Sequence, residues 1–186
     1  NRVISSQVMN SNFTDCYSAN GAAIYIAGKD VTVSDSSFIS NAAEDDGGAI
    51  YWAGSNGNVL NCEFINNTAY GDIKGGGAIY ASDSINIKES NFEGNNATYG
   101  GALYLESSGN VMDCNFTRNY ASADGGAIYL SDKTVNILRS LFKNNTAGHY
   151  GGAIYLKKGS GDKIEDSTFI ENHAVDGGAA YILDNN

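Results

Sequence analysis

Apolar and polar residues alternate along this chain in short runs that then break, and no stretch carries helical spacing. Ile85-Asn86-Ile87-Lys88-Glu89-Ser90-Asn91-Phe92 is representative, with apolar side chains at 85, 87 and 92 and Ser90 between them. Period-two alternation over so short a run predicts a strand that bends. The pattern recurs. Phe13, Phe38, Phe64, Phe92, Phe116, Phe142 and Phe169 are spaced 24 to 28 residues apart. Tyr25, Tyr51, Tyr80, Tyr104, Tyr129, Tyr155 and Tyr181 are spaced 24 to 29 apart. Two independent markers with one period indicate seven copies of a repeat.

Each copy runs from an aliphatic residue through a small slot, a Phe and an Asn slot to a loop, then Gly-Gly-Ala-Ile-Tyr. The small slot holds Ser11, Ser36, Cys62, Ser90, Cys114, Ser140 and Ser167. The Asn slot holds Cys16 in the first copy, then Asn41, Asn67, Asn95, Asn119, Asn145 and Asn172. A unit of this size, with only short strand-like patches, buries no core alone, so copies must stack. The expected fold is an all-β, right-handed, single-stranded parallel β-helix of about seven coils, with residues 1–186 as one domain. Stacked Phe rings and bonded Asn amides should form ladders. Asn at a turn suits left-handed backbone geometry, and Gly-Gly permits a sharp bend where walls approach closely. The Asn-to-Gly-Gly loop varies most in length. Residues 70–75 make it longest in the third copy, so that corner should face solvent and is one of two places where binding could occur, the other being the row of repeated tyrosines.

The same alternation orients the tyrosines. The residues flanking each Tyr, such as Ile50 and Trp52 or Leu103 and Leu105, are apolar and should point inward. The slot two past Tyr admits Glu106 and Lys157, so it points outward, and Tyr shares its face. This predicts an exposed tyrosine ladder. Tyr51, Tyr80, Tyr104, Tyr129 and Tyr155 are then the candidate binding residues, either as an aromatic platform or simply as cross-strand stabilisation.

Composition narrows the function. The chain has 23 Gly and no Pro, and charged residues are only 17%. A net charge of −10 argues against nucleic acid or an anionic membrane as partner, because both require basic patches. No apolar run is long enough to cross a membrane, so no insertion by this segment is expected. All three cysteines occupy slots that other copies fill with Ser or Asn, so they read as small structural groups. Cys62 and Cys114 sit two coils apart, about 10 Å, too far for a disulfide.

The paired motifs carry a resemblance. Repeated GGAI with FxxN is similar to the chlamydial polymorphic outer-membrane proteins. Ser140-Leu141-Phe142-Lys143-Asn144-Asn145-Thr146-Ala147 followed by Gly151-Gly152-Ala153-Ile154-Tyr155 resembles the adhesin-like proteins of methanogenic archaea more closely. The resemblance spans the whole chain. It implies secretion, anchoring at the cell surface, and attachment to glycans or surface proteins of other cells. Two copies depart from the pattern: Ala22 replaces the second Gly in the first, and Ala180 replaces Ile in the last.

A passive structural stalk is the alternative. A polysaccharide lyase or hydrolase is a second alternative, since such enzymes use this fold. The chain offers little for catalysis. Glu44-Asp45-Asp46 is the densest acidic run, and the candidate for a Ca²⁺ site, but it lies in a variable loop. His149 and His173 read as surface variation. Arg2, Arg118 and Arg139 are scattered, and Arg139 stands in a slot that is acidic in neighbouring copies, where it relieves repulsion. No enzyme activity and no cofactor are expected. Asn-X-Thr sequons occur at Asn12, Asn66, Asn96, Asn115 and Asn144, with Asn12 and Asn115 expected to face outward. The repeat pattern runs to both ends, closing on Leu183-Asp184-Asn185-Asn186. The expectation is therefore a piece of a longer surface protein, open to end-to-end self-association.

Overall fold

A computed structural model describes residues 5–131, 133–157 and 161–183. Arg2 and Asp184-Asn185-Asn186 lie outside the described residues. Short strands stack coil upon coil into four parallel sheets of seven, seven, six and seven strands. The third coil shows the plan: Gly57–Leu60 lies in the first sheet, Glu63–Ile65 in the second, Thr68–Ala69 in the third and Ile79–Ala81 in the fourth. Each pairs in register with its equivalents one coil away, as Phe64 does with Phe38 and Phe92. No helix occurs among the described residues.

The register follows from the sequence because each interior slot keeps one residue type. Phe13, Phe38, Phe64, Phe92, Phe116, Phe142 and Phe169 form a continuous interior stack, with centroids 4.7–4.9 Å apart and rings within 7° of parallel. The single tryptophan, Trp52, points inward as its slot requires and is fully buried against Gly57, where a side chain would collide with the indole. Its Nε1 has no hydrogen-bond partner.

The asparagine ladder forms inside the bend between the second and third sheets. Asn95 Nδ2 donates to Asn119 Oδ1 at 3.0 Å and to the Phe64 carbonyl at 2.9 Å. Its own Oδ1 accepts from the backbone and side-chain amides of Asn67. Asn41 through Asn172 repeat this arrangement. The left-handed backbone falls one residue earlier than expected, at Ser40, Asn66, Gly94, Arg118, Asn144 and Glu171. A bend there turns the following Asn side chain inward, where it reaches neighbours on both sides.

The small slot forms a second, parallel ladder. Ser90 Oγ donates to the Lys88 carbonyl and accepts from the Cys62 backbone N–H. Cys62 and Cys114 do the same with sulfur, donating to the Leu60 and Met112 carbonyls. All three cysteines are free thiols.

At the Gly-Gly bend the first glycine is left-handed, as at Gly100 with φ +61°. The second packs against the next coil: a Cβ on Gly101 would run into the Gly126 carbonyl. Gly101 N–H donates to the Gly125 carbonyl, a bond repeated in the coils from Gly48 to Gly152. The first coil, with Ala22 here, shows no such bond, although the flanking Gly21 and Ala23 keep theirs to the second coil.

Candidate functional site

The tyrosines do point away from the main core, but they are not exposed. Tyr80 is fully buried, and Tyr104, Tyr129 and Tyr155 are only 4–6% exposed; Tyr51 is half-buried. They form a second apolar cluster of their own, flanked by Tyr51, Tyr99 and Tyr181. The expected exposed ladder is therefore corrected. The variable loop folds back over the outer side of the fourth sheet. Tyr99 packs edge-on against Tyr129 at 5.3 Å, and Tyr150 covers Tyr181 at 4.6 Å. The rings still stack on one another, at 4.7–5.5 Å. Of the seven repeated tyrosines, only Tyr25, in the first coil, is open to solvent. Tyr99 and Tyr150 stand immediately before Gly-Gly, and that placement was the one available sign of a cover.

The third coil closes its part of the ladder with charge. Lys74, in the long loop, donates to the Tyr80 hydroxyl at 2.8 Å, pairs with Glu106 at 3.0 Å and lies 5.0 Å from the Tyr80 ring centroid. Burial, then a hydrogen bond with Glu106, pushes the Tyr80 hydroxyl well above its ordinary pKa. Asp46 lies beside this cluster. Burial raises its carboxyl to about 6, against the attraction of Lys74 and helped by the repulsion of Asp45 and Glu106.

In front of this cluster is an open groove of about 500 Å³, lined by Asn20, Asp45, Asp46, Gly71, Asp72, Ile73 and Lys74. The loop crosses from one coil to the next through backbone bonds, Gly71 N–H to the Asp45 carbonyl and Tyr70 N–H to the Ala43 carbonyl. The acidic run does not converge on one point. Glu44 does not line the groove with Asp45 and Asp46; it accepts from the Tyr17 hydroxyl at 2.8 Å on the third sheet's outer face. Among the described residues no group of three His, Cys, Asp or Glu side chains is placed to hold a metal ion, and Glu44, Asp45 and Asp46 are not brought together as one.

Large exposed apolar side chains gather around the same corner. Tyr17 is 66% exposed, Tyr70 64% and Ile73 84%. Tyr120 is exposed further along the third sheet. Repeat alignment missed Tyr17, Tyr70 and Tyr120 because each stands in a slot with no consensus. Alternation around the buried Ala69 and Ala121 would have placed Tyr70 and Tyr120 outward.

The remaining candidates are scattered over the surface. His149 and His173 are exposed, one in the loop and one on the third sheet's outer face. Arg139 makes a two-pronged pair with Asp113 at 2.8 and 2.9 Å, and Arg118 pairs with Glu93. Arg139 thus neutralises an acidic neighbour, as its slot suggested. Of the sequon asparagines, Asn12, Asn66, Asn96 and Asn115 are exposed and Asn144 is half-buried. No described helix is long and apolar enough to cross a membrane.

No curated protein and no solved structure matches the chain significantly. A family model described as a right handed beta helix region matches residues 3–142 and again 67–186. Together these matches cover nearly the whole repeat array seen in the four stacked sheets, and the chain belongs to the right-handed β-helix family.

Proposed function

We propose that this chain is an adhesion module of a cell-surface protein and that it binds glycan at the corner between the third sheet and the long loop. The observation that supports this is the exposure of Tyr17, Tyr70 and Ile73 around a groove lined with Asn20, Asp45 and Asp72. Exposed aromatic side chains beside hydrogen-bonding carboxylates and an amide suit a sugar, which offers an apolar ring face and a rim of hydroxyls. Clustered exposure of this kind is unusual on an inert surface. The resemblance of the repeat motifs to those of surface adhesins supports the same reading, including an extracellular location.

The reading assigns no catalysis. Lys74 is the basic group nearest the acidic groove, and it is engaged by Glu106 and Tyr80 rather than aimed at an open space. The structural alternative, a stalk, draws support from the two continuous hydrogen-bonded ladders that stiffen the rod. A glycan array separates the two. The adhesin reading expects selective retention that Tyr70→Ala reduces about tenfold without lowering the melting temperature. Absence of binding to every glycan leaves the stalk.

A further inference from the structure

The exposed tyrosines are not confined to the groove. The outer face of the third sheet carries two rows of side chains running along the coil axis. One row is Tyr17, Ala42, Thr68, Asn96 and Tyr120, each paired in register with the next. It continues to Thr146 and the exposed His173. Beside it run Glu44, Tyr70, Thr98 and Ser122, following the backbone bonds from Glu44 to Ser18, Tyr70 to Ala43 and Ser122 to Ala97. The alternate residues Ala43, Ala69, Ala97 and Ala121 are buried, at most 4% exposed, so these rows face solvent squarely.

The relief of this face is uneven in an ordered way. Tyr17, Tyr70 and Tyr120 stand in the first, third and fifth coils, and Tyr120 is 45% exposed. Ala42 in the second coil and Asn96 and Thr98 in the fourth lie between them and are all smaller. Tyr17 and Tyr120 are four coils apart, about 19 Å at roughly 4.8 Å per coil. With a ring at every second coil and short side chains between, the face is a stepped, straight trough along the coil axis, and only a chain of several sugars spans it.

Charge narrows the occupant. Neither row contains Lys or Arg, and the nearby Lys74 ammonium is engaged by Glu106 and Tyr80. Asp45 and Asp72 flank the trough at its groove end. A polyanionic chain would meet only repulsion here. A polycation would find a single carboxylate on the floor, Glu44, already bonded to Tyr17. The floor instead offers the hydroxyls of Thr68, Thr98 and Ser122 and the amide of Asn96, which both donate and accept.

We propose that this face binds one linear, uncharged polysaccharide chain lying parallel to the coil axis and stacked in turn on Tyr17, Tyr70 and Tyr120. The proposal rests on the glycan-binding reading above and names its ligand class. The test is affinity electrophoresis of the full chain through gels containing mixed-linkage β-glucan, xylan or galactomannan, with polygalacturonate and chitosan as charged controls. Retardation is expected on at least one neutral polymer and should persist at high salt, because no ion pair is involved. Tyr120→Ala should weaken it about tenfold with an unchanged melting temperature. Short oligosaccharides of about two sugars should lose no more than about twofold on Tyr120→Ala, since Tyr17 and Tyr70 still hold them.

Three outcomes overturn the proposal. One is retardation by chitosan or polygalacturonate alone that salt abolishes. A second is Tyr17→Ala or Tyr70→Ala weakening binding while Tyr120→Ala does not, which leaves a local glycan site in the groove and removes the trough. The third is a glycan array without any binding, which removes the glycan reading itself.

Discussion

At the scale of single residues, the ladders show how much depends on one donor or acceptor. Cys62 and Cys114 accept and donate where serine does elsewhere, at sulfur distances of 3.3 and 3.1 Å to their carbonyls. Cys114→Ser keeps both bonds with a stronger partner, and its unfolding free energy should stay within about 1 kcal/mol of wild type in denaturant titration. Asn95→Ala is different. It strands the Phe64 carbonyl and the amides of Asn67 in a buried bend, and should cost about 3 kcal/mol in the same titration. Thiol reactivity offers an independent check. Burial pushes the Cys114 thiol up to about 12 and raises Cys62 as well, whereas Cys16 is only half-buried. A thiol reagent near neutral pH should therefore label Cys16 alone until the protein is unfolded.

Asp46 adds a pH dependence of known sign. Its folded carboxyl titrates near 6, above the unfolded value of 3.8, so the folded state holds its proton longer. Stability from this group is therefore greatest below the unfolded value and declines as pH rises through about 6. Asp46→Asn should remove that decline and raise the melting temperature near neutral pH, read from melts across the range from 4 to 8, on the order of a few degrees.

At the scale of elements, the loop between the third and fourth sheets decides which tyrosines are surface. Alternation correctly turned Tyr80, Tyr104, Tyr129 and Tyr155 away from the main core, but a strand's periodicity describes only its own two faces. Whether a loop lies over the outer face depends on contacts between segments that alternation does not encode, such as Tyr99 against Tyr129. Tyr129→Ser should accordingly cost about 3 kcal/mol, as a buried aromatic does, whereas Tyr17→Ser should leave the melting temperature nearly unchanged. Lys74→Met keeps much of the side chain's bulk but removes its bonds to Tyr80 and Glu106. Amide hydrogen exchange should then quicken at residues 70–75 while the Phe and Asn ladders keep their protection.

At the scale of the whole molecule, each coil contacts its neighbours alone, so stability builds from coil-to-coil interfaces. A defect in the middle weakens two interfaces. Gly101→Ala would drive a methyl group into the Gly126 carbonyl and should lower stability by about 2 kcal/mol or more. At the first coil, where Ala22 already stands in the equivalent slot, Ala22→Gly should change little by the same measure.

The repeat period, the inward Phe and Asn slots, the structural nature of the cysteines and the parallel stack were all legible in the sequence. They follow from side-chain chemistry repeated in register, where any one copy reports on the other six. The variable corner was legible as a place where binding could occur, but the exposed rings around it were not legible in the same way. Tyr17, Tyr70 and Tyr120 belong to slots without a consensus, and a search for repeated residues passes over them. The sequence alone determined which side chains form ladders, because identical neighbours satisfy one another at every coil. Only the tertiary structure decided which aromatics meet solvent, because that depends on where a variable loop packs. It buried four of the repeated tyrosines, Tyr80, Tyr104, Tyr129 and Tyr155, and left three unrepeated ones exposed on the third sheet's outer face.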